Sequence, residues 1–161
     1  MTFTRLLILG CGYTGLAALR QAAALNLEVL ASVRSEARQK ELQGEPARIL
    51  SSPTLDASIA EHVDARTHVL IAFPPDDATD SVVAPSLAAA HSIAYISSTG
   101  IYGGLRGRID DATPVPEPDT VRAQRILRAE QRYRAVGATV LRAGAIYGPD
   151  RGLHVRVLRG E

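Results

Sequence analysis

Short apolar runs alternate with amphipathic stretches along almost the whole chain. The runs at 6–9, 27–33, 47–50, 67–73, 92–99 and 138–142 are four to eight residues long, the length of strands. Between them, Leu16, Leu19 and Ala23 recur at helical spacing behind the first run, and 36–43 reads as a helix stopped by Gly44. Residues 53–63 read as a turn and weak helix, and 76–90 as a capped helix that Pro85 kinks or splits. A last helix carries Arg122, Arg125, Arg128 and Arg132 ahead of the sixth run. The run 67–73 is continuous and ends at Pro74-Pro75, which predicts a strand buried on both faces. Strands alternating with helices specify an α/β domain with a parallel sheet covered on both faces. The 161 residues suit one such domain, and no internal repeat, low-complexity tract or linker divides them.

The first run feeds a turn, Gly10-Cys11-Gly12-Tyr13-Thr14-Gly15, that opens into the first helix. In such a turn Gly10 lets the chain leave the strand sharply, Gly12 leaves room for a pyrophosphate against bare backbone, and Gly15 lets helix and strand pack closely. The start of the helix, with Tyr13 and Thr14, then turns its positive end toward the phosphates. The spacing G-x-G-x-x-G is weak evidence alone. Behind a strand and ahead of a helix, it predicts a dinucleotide site rather than a merely tight turn. The expected architecture is a three-layer, doubly wound Rossmann fold with a parallel sheet of about six strands, forming one NAD(P)-binding domain over 1–161.

At the end of the second run, where an acidic residue would bind the ribose hydroxyls of NAD, the chain reads Ser32-Val33-Arg34-Ser35. Arg34 and Ser35 can bond a 2′-phosphate, because a guanidinium fork matches phosphate oxygens in geometry and charge. NADP is therefore favoured over NAD. The alternative is a solvent-facing arginine ahead of a helix. Phe73 and Pro74 fall beside the cofactor if the carboxyl ends of the strands line the crevice; otherwise they only stop the strand.

Composition narrows the partners. A net charge of +1 gives no electrostatic reason for nucleic acid or an anionic membrane surface. Cys11 is the only cysteine, so an intrachain disulfide is impossible and a reduced, cytoplasmic setting is expected. No signal-peptide pattern or membrane-length apolar run is present, and the four histidines show no metal-ligand spacing. Lys40 is the only lysine.

Two later segments carry a resemblance. Ile96-Ser97-Ser98-Thr99-Gly100-Ile101-Tyr102-Gly103 resembles the S-S-x-x-x-Y-G segment of the extended short-chain dehydrogenase/reductases, the NAD(P)-dependent epimerase and dehydratase relatives. Leu141-Arg142-Ala143-Gly144-Ala145-Ile146-Tyr147-Gly148-Pro149 is similar to that family's L-R-x-x-x-x-Y-G-P segment. With the glycine turn, three landmarks stand in the family's order across nearly the whole chain. The resemblance implies that Ser98 is the active-site hydroxyl that bonds the substrate's reacting oxygen, with Ser97 in the cofactor-binding set. Without it, a strand-end hydroxyl capping backbone explains Ser98 adequately.

The departure lies on the following helix. Active members carry a Tyr-x-x-x-Lys pair, in which the lysine lowers the tyrosine pKa and holds the nicotinamide ribose while the phenol exchanges a proton. Matching the family's later glutamate to Glu130 places Arg122 in the tyrosine slot and Ile126 in the lysine slot. Arginine stays protonated and isoleucine has no donor. No tyrosine in the chain has a lysine four residues later, so another register does not restore the pair. The arginine row reads either as a solvated face, supported by Glu130 and Arg134 four residues apart, or as a set in which Arg122 or Arg125 faces the crevice.

The resemblance further implies that the smaller C-terminal substrate domain is lacking, which would leave the pocket open and apolar surface exposed, to be covered by another subunit in a homo-oligomer. Three readings stay open: an NADP-dependent oxidoreductase or epimerase-like enzyme whose proton comes from Tyr102, Ser98 or water, a nucleotide-dependent sensor or regulatory module, and a truncated fragment that keeps the fold.

Overall fold

The computed structural model describes residues 4–160, and its organising strand is β1 (Arg5–Leu9), where Leu7, Ile8 and Leu9 are wholly buried. β1 pairs in parallel with β2 (Glu28–Val33) on one side and with β4 (Thr67–Ile71) on the other. β3 (Arg48–Ser51) extends the sheet beyond β2, while β5 (Ser92–Ser98) and then β6 (Thr139–Ala143) extend it beyond β4. The resulting order, β3-β2-β1-β4-β5-β6, is that of a doubly wound α/β sheet. Strand order reverses between β1 and β4, which opens a crevice at their carboxyl ends.

The alternation of β1 sorts two cores onto the two faces. Ile8 packs with Leu19 and Ala22 of α1 (Tyr13–Ala24) and with Val29, Ala31 and Val33 of β2. Leu7 and Leu9 face the other way, toward Val83 and Ala84 of α3 (Asp77–Ser86) and Ala129 and Tyr133 of α4 (Val121–Ala135). Two helical layers therefore enclose the sheet. The short α2 (Glu36–Glu41) is capped by Ser35, whose hydroxyl accepts the Arg38 N–H. Residues 57–62, in the weakly helical stretch, form a 3-10 helix capped by Asp56.

The structure differs from the pattern in four places. β4 ends at Ile71, and it alternates rather than being buried on both faces: His68 and Leu70 are half-buried because α1 covers mainly β1 and β2. The same face continues outward to Leu141 on edge strand β6, which is 47% exposed. The helix expected over 76–90 is one shorter element rather than two. It closes at Ser86, immediately after Pro85, with the Leu87 N–H turning back to the Ala84 carbonyl. Finally, a short helix, α5 (Leu153–Leu158), follows β6 with no buried residue, and its apolar side chains recur without a core beneath them. Among the described residues no helix is long and apolar enough to cross a membrane.

A buried carboxylate ties the C-terminal half together. Glu130 on α4 has no exposed surface, yet four donors reach it: Arg142 through Nε at 2.9 Å and Nη2 at 2.7 Å, the Ser97 hydroxyl at 2.6 Å and Arg134 at 2.9 Å. Burial alone would push the Glu130 carboxyl up. The bonds from Arg142 and Ser97, with the charge of Arg142, outweigh it and hold the group below the ordinary carboxylate range. A second anchor joins α4 to α3, where Arg128 and Arg132 both bond Asp77 and the Tyr133 hydroxyl donates to buried Asp80 at 2.8 Å. Hydrogen bonds from Arg128 and Arg132 also hold Asp77 well below the usual range.

Removing one member of the Glu130 network leaves Arg142 uncompensated beside the core. Glu130→Ala should lower unfolding stability in urea by about 3–5 kcal/mol. Because the folded pKa values of Glu130 and Asp77 lie below their unfolded values, their stabilisation is complete above about pH 4–5 and is lost as pH falls through the folded values. The urea midpoint of the wild type should therefore drop on acidification below about pH 4, and less steeply in Glu130→Ala.

Candidate functional site

The glycine turn sits where β1 delivers it, and its three glycines meet different surroundings. Gly10 has a positive φ of 93°, and a Cβ there would stand 2.9 Å from the Phe73 backbone N. At Gly15 a Cβ would lie 2.5 Å from the Gly10 carbonyl oxygen, so α1 crosses the turn at a distance only glycine permits. At Gly12 a Cβ would meet nothing within 4 Å. The first two glycines are demanded by packing and the third borders open space. Gly12 also caps α1 without a side-chain bond, so the amides of Tyr13, Thr14 and Gly15 receive no capping acceptor from the chain. By contrast, Ser35, Asp76 and Thr120 cap α2, α3 and α4.

Three adjoining cavities run along the carboxyl ends of the strands, and Phe73 borders all of them. The outermost, about 210 Å³, lies between β2, β3 and α3 and is bordered by Gly10, Ser32, Arg34, Ser52 and Asp76. The next, about 300 Å³, brings together Gly10, Gly12, Arg34, Ser35, Arg38 and Pro74. The largest, about 830 Å³, continues past Gly12, Tyr13 and Thr14 to Ser97, Ser98, Arg122 and Arg125. Thus the residues singled out in the sequence, apart from Gly15 in its packing role and Tyr102, border one cleft.

At the Arg34 end, the Ser32 hydroxyl accepts the Gly10 N–H at 3.0 Å and so braces the turn. Arg34 is exposed, and Ser35 retains its O–H as a donor although its oxygen caps α2. Arg38, which the sequence reading passed over, adds a second guanidinium, its Nε 3.4 Å from the Cys11 carbonyl. Its Nη1 pairs with Glu41 at 2.7 Å, and as a basic residue in the last turn of the short α2 it carried no sequence signal that set it apart from an ordinary helix cation. Asp76 stands near Arg34 and Arg125; bonds from Thr79, foremost, and these two charges lower its pKa.

At the other end, the Ser98 oxygen accepts the Gly100 N–H at 3.1 Å, which leaves its O–H free to point at a ligand. A Cβ on Gly100 would lie 3.2 Å from Ser98 Oγ and 3.8 Å from Arg122 Nε, so serine and arginine flank the same spot. Ile126, in the lysine slot, is buried and donates nothing. Ser97 borders the cleft, but its hydroxyl is committed to Glu130. Tyr102 does not join the cleft. It is buried against α4, its oxygen accepts from Arg142 at 2.7 Å, and it borders a separate cavity of about 550 Å³ with Asp110 and Asp111. Tyr95, fully buried on the floor of the largest cavity, keeps a hydroxyl without a hydrogen-bond partner among the described residues. No group of three or more metal-ligating side chains occurs among the described residues.

No protein-family model matches the sequence, and no curated protein matches it. Solved structures do. A conserved protein of unknown function from Silicibacter pomeroyi is 29% identical with a TM-score of 0.76, over 92% of this chain and 55% of its own. A protein assigned provisionally as an NAD-dependent epimerase/dehydratase, from Methylobacillus flagellatus, is 28% identical with a TM-score of 0.76, over 99% of this chain and 59% of its own. The UDP-glucuronic acid 4-epimerase from Bacillus cereus, solved in complex with NAD, is 17% identical with a TM-score of 0.69, over 92% of this chain and 59% of its own. This chain spans less than two thirds of the length of these proteins. In fold, and at 28% identity in sequence, the chain is thus similar to a protein of the NAD-dependent epimerase/dehydratase type, and its three motifs resemble those of the extended short-chain dehydrogenase/reductases.

Proposed function

We propose that the chain binds a nicotinamide dinucleotide along the three cavities, NADP in preference to NAD, and serves an oxidoreductase or epimerase-like reaction without the Tyr-Lys pair. The observation that carries this reading is the open space at Gly12 beside an uncapped α1, in a turn whose other two glycines are fixed by packing. The residues fit the cofactor: Gly12 with the Tyr13 and Thr14 amides would hold the pyrophosphate, and Phe73 and Pro74 would wall the middle. Arg34, Ser35 and Arg38 form a donor cluster suited to a 2′-phosphate. The NAD complex of the Bacillus cereus epimerase supports a dinucleotide in this fold without choosing between the two forms.

When bound, the nicotinamide would supply hydride transfer. The chain's own part is then to orient and polarise. Ser98 would donate its O–H to a substrate oxygen, with the Arg122 charge beside it. A second reading, a sensor that binds nucleotide without turnover, is favoured by Ile126, which cannot hold a ribose or tune a phenol.

Two measurements test the cofactor. In a calorimetric titration, NADPH should bind at least about tenfold more tightly than NADH, and Arg34→Asp should remove that ratio, as expected for loss of a charge-assisted hydrogen bond of about 1.5–3 kcal/mol. Equal losses for the two cofactors would show that Arg34 does not read the phosphate. Gly12→Val should abolish binding of both while thermal unfolding stays near the wild-type value, whereas Gly15→Ala should lower stability by about 1–3 kcal/mol through overpacking. Unchanged NADPH affinity in Gly12→Val would overturn the assignment of the turn.

A further inference from the structure

The arginines of the α4 region sort into two sets. Arg128 and Arg132 are spent on Asp77, and Arg134 and Arg142 on Glu130. Arg122 and Arg125, three residues apart near the start of α4, form no ion pair within 4 Å of any described carboxylate, although the charge of Asp76, which lies outside the cavity lining, reaches Arg125; both arginines border the 830 Å³ cavity. A third cation there, Arg151, lies over the Tyr13 ring at 5.2 Å. No acidic residue borders this cavity; its walls are largely apolar, with Val121, Ile126, Ile146 and Phe73 among them. Two cations one turn apart at the start of a helix repel each other and oppose the helix dipole. Such an arrangement lowers its energy when an anion enters.

We infer that the α4 end of this cavity binds a small organic acid, an apolar body bearing a carboxylate that Arg122 and Arg125 hold. The inference rests on the dinucleotide reading to the extent that the cofactor takes the glycine-turn end and the acid the α4 end. A planar guanidinium matches a carboxylate with two parallel hydrogen bonds, and the apolar walls suit the rest of such a molecule. Ser98 stands beside Arg122 with its O–H available, so a carbonyl or hydroxyl next to the carboxylate would meet a donor. Arg122 occupies the slot where the family's proton-transferring tyrosine stands. That slot is thereby turned from proton exchange to anion recognition.

The test compares two probes of the same shape, benzoate and benzamide, titrated into the full chain with and without saturating NADPH. Benzoate should bind at least tenfold more tightly than benzamide. The double substitution Arg122→Met with Arg125→Met should remove this preference, while Arg106→Met, which takes one charge from an exposed loop, should keep it. Equal affinities in the wild type, no benzoate binding, or a preference that survives the double substitution would overturn the inference. If the wild type fails to bind NADPH, the cofactor reading falls separately, and the benzoate preference of the free protein still reports on the arginine pair.

Discussion

The crossing of α1 over the glycine turn is the constraint on which the site depends. Gly15 lies so near the Gly10 carbonyl that a single added methyl would force the helix away. That contact fixes where the axis of α1 points. The strand supplies the other half of the constraint, because Gly10 leaves β1 with a positive φ and Phe73, just past β4, lies so near that an added Cβ would clash with it. Helix, turn and two neighbouring strands thus share one junction, and the cleft is the space they leave. A small displacement here would close Gly12 or uncap it from α1, so packing precision at Gly10 and Gly15 is what gives Gly12 its openness.

The far side of the cleft is held by charge rather than by close packing. Glu130 gathers β5 through Ser97, β6 through Arg142 and its own helix through Arg134. Arg142 then continues to Tyr102, which seats the 3-10 turn that follows Ser98. Ser98 is therefore positioned by a chain of bonds that runs behind it, and none of those bonds uses the Ser98 hydroxyl hydrogen. The cost of burying the carboxylate is offset because every donor around it is charged or strongly polar.

Much of this was legible in the sequence, for reasons that differ from element to element. The strand order followed from alternating apolar runs and the glycine turn, since a parallel sheet needs both faces covered and leaves few topologies. Gly10, Gly12 and Gly15 were legible because backbone freedom and spacing are properties of sequence. Partial exposure of β4 was not, because it depends on how far α1 reaches across the sheet, which no local pattern records. Nor was the fate of Tyr102: a tyrosine four residues after Ser98 reads as a neighbour of the site, but the turn carries it to the opposite side, toward Arg142. The sorting of the arginines escaped for the same reason. Sequence shows a row at helical spacing, and only the placement of Asp77 and Glu130 decides which members are neutralised.

That sorting bears on what chemistry the cleft can support. A guanidinium at Arg122 carries its charge at every physiological pH, so it can polarise an oxygen or hold an anion but cannot take up or release a proton during turnover. With Ile126 apolar and Tyr102 bonded to Arg142, neither a tuned phenol nor its lysine is present at the cleft. Tyr95 is there but fully buried, and burial pushes its phenol up, so it remains a neutral donor. A reaction in this cleft that required proton exchange would have to pass through Ser98, the Tyr13 hydroxyl on the cavity wall or solvent. In a hydride transfer to a carbonyl beside a carboxylate held by the arginines, the same charge would stabilise the oxygen gaining negative charge, and the proton that this oxygen then takes up would come by that same route. Arg122 and Arg125 in the first turns of α4 therefore suit that end of the cleft to holding an anion rather than to moving a proton.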